Sequence, residues 1–430
     1  MTDNLNPLLS AQAKVKNACD KLGEDPAVYE LLKVPAVYEL LKEPQRVIEI
    51  KIPVKMDDGS LKTFKGWRAA HSSAVGPAKG GVRFHQNVNA DEVKALSLWM
   101  TFKGGALGLP YGGGKGGICV DPSELSQREL EQLSRGYIRG LYRYLGDRID
   151  IPAPDVNTNG QIMSWMMDEY IKLNGDKMDL GCITGKPVEF GGSQGRNEAT
   201  GFGVSIVVRE SAKRYGIEMK GARVAVQGFG NVGTFTVKNI ARQGAKVVAL
   251  AEWDKSKGNF ALYNEDGINY DELFAYKNEH HTVLGFPGAK EISADEFWTG
   301  KYDVLVPAAL ENVITYDVAK KLNVKLVCEA ANGPTTPEGD KGLAEVNIPL
   351  VPDILTNSGG VLVSYYEWVQ NQYGYYWTEK EVEEKQEADM MKAINGVFGI
   401  ADEYKVTPRE AVYMYGVKSL AKAMKLRGWY

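Results

Sequence analysis

A glycine-rich stretch around Lys115 is the part of the sequence best suited to chemistry. Five glycines surround this lysine in the run Leu109-Pro110-Tyr111-Gly112-Gly113-Gly114-Lys115-Gly116-Gly117. Because glycine lacks a Cβ, the backbone can bend freely there and a ligand can approach closely. A lysine in such a poorly solvated loop gives up its proton more readily, which suits it to proton transfer or to activating water. We predict a loop that presents a catalytic lysine; a solvated lysine in a surface turn is the alternative.

The same stretch does not match a nucleotide phosphate loop. That motif requires a glycine, four further residues, and then Gly-Lys followed by Ser or Thr. Here Leu109 stands at the first glycine position and Gly116 follows the lysine. The sequence therefore favours acid–base chemistry over phosphate binding at Lys115.

Lys79, Lys103 and Asp155 also stand in unusual settings. Lys79 is flanked by glycines, and Lys103 falls on the apolar stripe of a helix predicted over 90–104, where a lysine needs a partner. Asp155 follows two prolines that fix the backbone, as suits a general base. The alternatives are a turn before a strand for Lys79, a solvent-reaching side chain for Lys103 and a helix cap for Asp155. Three lysines and one acid favour a small dianionic or zwitterionic acid as ligand.

Residues 222–252 carry the pattern of a dinucleotide-binding β-α-β unit. The turn Gly228-Phe229-Gly230-Asn231-Val232-Gly233 follows a predicted strand and opens a predicted helix, so a pyrophosphate could reach the helix N-terminus. Glu252 ends the next strand, where a carboxylate accepts hydrogen bonds from ribose hydroxyls. Because this charge would repel a 2′-phosphate, we expect NAD rather than NADP. Lys255 lies nearby and opposes that preference.

The surrounding pattern predicts an α/β fold. Alternation at Ile48, Ile50 and Ile52 indicates a strand, and the turn at 57–59 indicates a hairpin. Later strands are predicted over 303–307, 325–329 and 350–355, with Asn332 in a turn at a strand end, where ligands bind in open sheets. Capping boxes at 378–381 and 407–410 predict helices in the C-terminal part.

Residues 26–34 and 35–42 share the sequence Pro-Ala-Val-Tyr-Glu-Leu-Leu-Lys. Two short copies are too few for a repeat architecture. Pro35 should interrupt a continuous helix, and in one straight helix the two copies could not bury the same face. We interpret them as a local tandem duplication.

Composition excludes several classes of protein. The 430 residues have a net charge of −4 and no long basic run, which argues against a nucleic-acid partner. No apolar stretch approaches the ~20 residues of a membrane span. Residues 1–12 lack the apolar core of a signal peptide, so we expect a cytoplasmic protein. Four scattered cysteines and four histidines give no metal-ligand spacing, so we expect no metal.

Together these motifs resemble the glutamate, leucine, phenylalanine and valine dehydrogenase family, from about residue 40 to the C-terminus. The resemblance implies that Lys115 is the catalytic lysine and Asp155 the catalytic aspartate. It implies that Lys103 binds the substrate α-carboxylate. Lys79 and Ser364 match the residues that bind the side-chain carboxylate, and the leucine-type members carry apolar residues at these two positions. Retention of both implies glutamate as the substrate.

The resemblance also implies the cofactor residues and the reaction. The cofactor-binding residues would be Thr200, Gly228, Gly230, Asn231, Val232, Gly233, Glu252 and Asn332. The reaction would be the reversible oxidative deamination of glutamate to 2-oxoglutarate and ammonium with NAD, with Asp155 taking a proton from the amine and Lys115 activating water. The alternatives are a branched-chain or aromatic amino-acid dehydrogenase, or a catalytically silent NAD-binding regulatory subunit.

The implied architecture has two domains and a helical C-terminal segment. Residues 1–196 would form an α/β substrate and oligomerisation domain, 197–362 a Rossmann-type NAD-binding domain, and 363–430 helices that bridge back to the first domain. Family members assemble as hexamers, so a homohexamer is expected. Two features depart from the family pattern: Met100, where some glutamate enzymes have glutamine, and the N-terminal duplication. We hypothesise that the nine extra residues disturb assembly or activity.

Overall fold

The computed structural model describes residues 6–430, apart from the side chains of Ala27, Leu31, Leu32 and Val34. The segment 1–12, expected to carry no leader, is thus described only from Asn6. The strands are β1 (Arg46–Lys55), β2 (Leu61–Ala70), β3 (Ala78–Phe84), β4 (Gly112–Ile118), β5 (Asp150–Pro154), β6 (Arg223–Gln227), β7 (Lys246–Asp254), β8 (Gly258–Tyr263), β9 (Lys290–Ile292), β10 (Lys301–Pro307), β11 (Asn323–Cys328) and β12 (Leu350–Val351).

Within residues 6–430, three helices precede the first strand, helices and strands are interspersed in the middle of the chain, and four helices follow the last strand. The helices are α1 (Pro7–Gly23), α2 (Pro26–Leu32), α3 (Val34–Leu41), α4 (Ala90–Ala106), α5 (Gln127–Leu141), α6 (Gly160–Leu173), α7 (Ala199–Arg214), α8 (Asn231–Arg242), α9 (Tyr270–His280), α10 (Ala294–Thr299), α11 (Tyr316–Lys321), α12 (Pro337–Glu345), α13 (Asp353–Thr356), α14 (Gly359–Tyr373), α15 (Glu379–Tyr404) and α16 (Pro408–Leu426).

The first sheet has the strand order β1-β2-β4-β3-β5. Strands β1 and β2 form the predicted antiparallel hairpin around the 57–59 turn. Strand β4 runs antiparallel to β2 and parallel to β3, and β3 runs parallel to β5. Helix α4 packs against β4, and α5 against β1. This sheet carries Lys79 on β3 and Lys115 on β4, and Asp155 directly follows β5.

The prediction of a loop around Lys115 was wrong, because Gly112–Ile118 is the interior strand β4. Its glycines serve close packing rather than bending, since none of those at 112–117 has a positive φ. A Cβ on Gly112 would lie 1.5 Å from the Ser72 carbonyl oxygen, and one on Gly113 would lie 2.0 Å from that of Ser97. Glycine thus lets neighbouring backbone approach β4, and Lys115 is held on a rigid element.

The second sheet has the strand order β12-β11-β10-β6-β7-β8-β9. From β12 to β7 the pairs are parallel, and β8 and β9 add an antiparallel edge. The predicted β-α-β unit is β6, α8 and β7. The predicted α/β fold, with an N-terminal α/β part, a dinucleotide-binding sheet and C-terminal helices, is therefore confirmed.

The strand predicted over 350–355 was mostly wrong. Only Leu350–Val351 pairs with β11, and α13 begins at Asp353. The Asp353 amide donates to Glu329 Oε2 at 3.0 Å, while its own carboxylate accepts from the Ile354 amide at 2.8 Å. These contacts turn the chain into a helix immediately after Pro352.

The duplicated segment forms two helices, α2 and α3, as the interruption at Pro35 suggested. The break lies at Lys33, whose φ of 47° is left-handed. The second copy is in the core, with Val37 and Leu41 fully buried, whereas Tyr29 of the first copy is 42% exposed. The copies therefore occupy different environments.

The C-terminal helices α15 and α16 both begin with the predicted capping boxes. Helix α16 packs against α1 and α4, so the end of the chain returns to the first sheet and its helices. Among residues 6–430, no helix combines the length and apolar character needed to cross a membrane.

Candidate active site

Lys115 and Asp155 form a direct pair. Lys115 Nζ donates a hydrogen bond to Asp155 Oδ2, and the two side chains are 9% and 14% exposed. The Val156 amide donates to Asp155 Oδ1 at 2.7 Å, and Arg83 lies 3.6 Å from the same oxygen. Burial alone would raise the pKa of Asp155, but Lys115 and Arg83 outweigh it and hold the pKa below its usual value. The acid is therefore kept ionised beside a lysine that can exchange a proton with it.

Arg83 was not identified from the sequence as a site residue. Its guanidinium also binds Glu92 of α4 at 2.6 Å, so it is fixed between a helix and the acid. It lies in the motif that contains Lys79, four residues later. This proximity to Lys79 in the sequence was the signal that could have identified Arg83 as a site residue.

Lys79, Ser364 and Arg196 converge at a second position. Lys79 and Ser364 are each 3% exposed. Arg196 Nε donates to Ser364 Oγ at 3.2 Å. Burial lowers the pKa of Lys79 well below its usual value, and nearby Arg68 and Arg196 lower it further. A cationic, nearly dry pocket of this kind suits a carboxylate.

Glu367 fixes the helix that carries Ser364. It forms a fully buried ion pair with Lys186 at 2.7 Å and accepts from the Gly185 amide at 2.7 Å. Because Glu367 lies one turn after Ser364 on α14, this anchor holds the hydroxyl against the first sheet. Ser364 and Lys79, which are more than half of the chain apart in sequence, thus both lie near Arg196.

Lys103 lies in the last turn of α4 and turns toward the second sheet. Its Nζ donates to Asn357 Oδ1 at 2.6 Å, and Asn357 Nδ2 donates to Asn332 Oδ1 at 2.9 Å. Burial lowers the pKa of Lys103 to about 8. Lys115 and Asp155 both influence that pKa, which places Lys103 near the pair. Asn357 was not predicted as a site residue, although its position after a strand was a signal.

The dinucleotide turn has the geometry that its glycines predict. Gly228 has a φ of 94°, and a Cβ on Gly233 would lie 1.9 Å from the Gly228 carbonyl oxygen. A Cβ on Gly230 would meet open space, and no side chain caps the N-terminus of α8. The amides of Asn231, Val232 and Gly233 therefore begin a helix with room for a diphosphate.

Glu252 contacts this turn, and Thr200 lies on α7, which packs against α8, the helix that the turn opens. Glu252 Oε2 accepts from the Phe229 amide at 2.7 Å. Thr200 lies in the first turn of α7, where a Cβ on Gly360 would lie 2.6 Å from its Oγ1. Asn231 Nδ2 donates to the Asn197 carbonyl at 3.4 Å, beside α7. These residues fit a dinucleotide with a free ribose 2′-hydroxyl.

Comparison with known proteins now identifies the family. Residues 191–428 match the family model described as Glutamate/Leucine/Phenylalanine/Valine dehydrogenase, and residues 44–172 match the Glu/Leu/Phe/Val dehydrogenase dimerisation domain. The chain belongs to the Glu/Leu/Phe/Val dehydrogenase family. The resemblance inferred from the motifs is therefore confirmed.

Relatives within this family agree over nearly their whole length. The NAD-specific glutamate dehydrogenase of Peptoniphilus asaccharolyticus is 77% identical over 430 residues, with all of both chains covered. That of Clostridioides difficile is 62% identical, with 99% of each chain covered. The solved hetero-hexameric glutamate dehydrogenase of Thermus thermophilus, in a Leu-bound form, is 33% identical with a TM-score of 0.89, covering 100% of this chain and 99% of its own.

Two further predictions from the sequence concern metal binding and the position of Lys255. Within 6–430, no group of three or more histidine, cysteine, aspartate or glutamate side chains is arranged to hold a metal ion. Lys255, the predicted neighbour of Glu252, is exposed. The lysine that faces Glu252 is instead Lys277 of α9, which the sequence did not indicate.

Proposed function

We propose that this chain is an NAD-dependent glutamate dehydrogenase, which catalyses the reversible oxidative deamination of L-glutamate to 2-oxoglutarate and ammonium. The observation that carries the proposal is the buried Lys79 side chain near Arg196, whose guanidinium donates to Ser364. A second cation, Lys103, lies near the Lys115–Asp155 pair. The relatives from Peptoniphilus asaccharolyticus and Clostridioides difficile are both named NAD-specific glutamate dehydrogenases, which supports the same activity.

Lys79, Ser364 and Arg196 bind the γ-carboxylate, and Lys103 binds the α-carboxylate. Charge-assisted hydrogen bonds are roughly twice as strong as neutral ones, so two such contacts fix both ends of the substrate. A branched-chain or aromatic side chain would leave the Lys79 ammonium buried without a counter-charge, which is costly. This alternative is therefore disfavoured.

Asp155 and Lys115 perform the proton transfers. Asp155 is ionised and takes a proton from the substrate amine, which must be neutral before the α-carbon is oxidised. With its amine neutral, Lys115 then accepts a proton from water while the oxygen attacks that carbon, and it returns the proton to the substrate nitrogen, which leaves as ammonia. When bound, NAD would supply the acceptor for the hydride that leaves the α-carbon. A catalytically silent subunit would not need this acid and lysine in direct contact.

The cofactor is held by the turn at 228–233, with Glu252 on the ribose hydroxyls and Thr200 and Asn332 nearby. Glu252 disfavours a 2′-phosphate by charge repulsion. Asn357 connects Lys103 to Asn332, so it couples the position of the substrate to that of the cofactor.

The proposal also covers the domain division, the oligomeric state and the cellular location of the protein. We assign 1–196 to substrate binding and oligomerisation, 197–362 to NAD binding and 363–430 to bridging helices, supported by the packing of α16 on α1 and α4. A homohexamer is supported by the hexameric Thermus relative, although that assembly has two kinds of chain. Four free cysteine thiols support the cytoplasm, where thiols stay reduced.

The test is the loss of reduced-nicotinamide absorbance with 2-oxoglutarate and ammonium. We expect rapid oxidation of NADH and much slower oxidation of NADPH. The control replaces 2-oxoglutarate with the 2-oxo acid of leucine, which should react poorly. Preference for the leucine-derived acid would overturn the glutamate assignment.

A further inference from the structure

Glu329 is a fully buried carboxylate that directly follows β11, and the proposed mechanism gives it no role. Its Oε1 accepts a hydrogen bond from Arg409 Nη2 at 2.7 Å, and its Oε2 accepts from the Asp353 amide at 3.0 Å. Burial raises the pKa of Glu329 above its usual value, even though Arg409 lowers it. An acid with both oxygens engaged in this way is held in one orientation.

The Asp353 contact leads along the short helix α13 to the proposed α-carboxylate site. Asp353 is the first residue of α13, and its Oδ2 accepts from the Gly333 amide at 2.9 Å. Asn357 directly follows the helix, and its Oδ1 accepts from Lys103 Nζ at 2.6 Å. Among the neighbouring charges, Asp353 has the largest influence on the pKa of Lys103, which it raises against the lowering by burial. Helix α13 therefore connects Glu329 at one end with Lys103 at the other.

The Arg409 contact leads back to the helix that carries Lys103. Arg409 lies in the first turn of α16, and α16 packs against α4. The contacts therefore form a closed ring. It runs from α4 through α16 and Arg409 to Glu329, and then returns along α13 and Asn357 to Lys103. Since the two ends of the Lys103–Asn357 hydrogen bond lie on different elements, this ring sets their separation.

We propose that Glu329, held by Arg409, is a positioning residue for the substrate α-carboxylate, because it fixes α13 and through Asn357 the Lys103 ammonium. This inference rests on the proposed glutamate dehydrogenase function. The α-carboxylate contact is made in the ground state and in the transition state alike. Its loss therefore raises KM and leaves kcat unchanged.

The first test is Glu329→Gln, with steady-state kinetics for 2-oxoglutarate. A glutamine side chain ends in one acceptor oxygen and one donor nitrogen, so it cannot accept from both Arg409 and the Asp353 amide. We expect KM to rise about fivefold or more, with kcat within about twofold of wild type. Asp340→Asn is the control. Asp340 Oδ1 accepts from the same Arg409 nitrogen at 3.0 Å but lies on α12, and asparagine keeps an acceptor oxygen, so KM should change less than about twofold.

A double-variant cycle separates positioning from a general loss of structure. Asn357→Ala removes the link to Lys103, so adding Glu329→Gln to it should raise KM by no more than a further factor of about two. Arg409→Met approaches the same contact from the other side and should also raise KM about fivefold. Arg409→Lys keeps the charge, so its KM should lie between those of Arg409→Met and the wild type.

A wild-type KM in folded Glu329→Gln, or a fall in kcat without a rise in KM, would overturn the proposal. Equal increases in KM with and without Asn357 would also overturn it and leave Glu329 as a purely structural acid. If Glu329→Gln does not fold, the comparison of Arg409→Met with Arg409→Lys decides in the same way. Failure of the proposed function would appear separately, as wild-type protein that binds NADH but does not reduce 2-oxoglutarate.

Discussion

Lys115 Nζ donates a hydrogen bond to Asp155 Oδ2 across strand β3, which lies between β4, the strand of Lys115, and β5, the strand that Asp155 follows. The contact passes Gly81 of β3, where a Cβ would lie 2.7 Å from Asp155 Cβ and 2.8 Å from the Pro154 carbonyl oxygen. The acid can therefore reach the lysine only because the residue between them has no side chain. The pair depends on a glycine that takes no part in proton transfer.

Gly81→Ala should separate this pair. Because backbone as well as the Asp155 side chain must move, we expect unfolding free energy to fall by about 1–3 kcal/mol. Turnover should fall about tenfold or more, since the acid is displaced from its working position. Steady-state kinetics and thermal unfolding measure the two effects.

Gly399→Ala is the matched control. Gly399 lies inside α15, and a Cβ there meets open space. The helix should gain up to about 1 kcal/mol, with turnover unchanged. Wild-type turnover in Gly81→Ala would contradict the dependence of the pair on this glycine.

Lys79→Leu should abolish most glutamate activity. Removing a charged hydrogen-bond partner of the γ-carboxylate costs about 1.5–3 kcal/mol, or roughly 10- to 150-fold in kcat/KM. NADH binding should be unchanged, because Lys79 lies in the first sheet and the cofactor turn in the second. Glutamate kinetics like those of the wild type would show that Lys79 does not read the side-chain carboxylate.

The KM for 2-oxoglutarate should rise with pH above about 8. Burial lowers the pKa of Lys103 to about 8, so the ammonium that binds the α-carboxylate is present below this pH and lost above it. The substrate stays fully ionised throughout, so the change reports the enzyme. Lys103→Arg, which holds its charge, should remove the rise in KM above pH 8. A wild-type KM that stays flat well above pH 8 would exclude this role for Lys103.

Deletion of residues 26–34 tests whether the duplication matters. The described contacts connect the second copy to the catalytic strand: the Leu41 carbonyl oxygen lies 2.9 Å from His71 Nε2, His71 Nδ1 lies 2.8 Å from Thr101 Oγ1, and that hydroxyl accepts from the Gly113 amide at 2.9 Å. These contacts belong to the copy that the deletion retains. We therefore expect turnover within about twofold of wild type and the same oligomer size.

Leu41→Ala is the contrasting variant for that deletion. Leu41 is fully buried, so its truncation should cost about 2–5 kcal/mol of unfolding free energy. Size-exclusion chromatography and kinetics of both variants give the comparison. A deletion that alters oligomer size or turnover would support the hypothesis that the extra residues disturb the enzyme.

Local patterns predicted the parts of the fold that depend on nearby residues. The dinucleotide turn, the hairpin at 57–59 and the two C-terminal capping boxes each need only a few adjacent side chains. Strand β4 was missed because a glycine run has low strand propensity, and the reason for its glycines is backbone packed against it from Ser72 and Ser97. That reason exists only in the folded chain.

The residues of the candidate site divide in the same way, into those that the local sequence indicates and those that only the folded structure brings together. Lys79, Lys103, Lys115 and Asp155 could be selected because each stands in an unusual local setting. Arg196 and Lys277 could not, because their partners Ser364 and Phe229 are distant in sequence. Asn357 follows a predicted strand, but its partner Lys103 is likewise distant. These contacts form only in the folded chain.

The most direct test of the account is the turnover of Lys115→Met, measured together with its dissociation constant for NADH. If Lys115 activates water beside Asp155, kcat should fall about 100-fold or more while NADH binding stays within about twofold of wild type. Retained turnover, or a parallel loss of turnover and NADH binding, would contradict the account and make Lys115 a structural residue of β4.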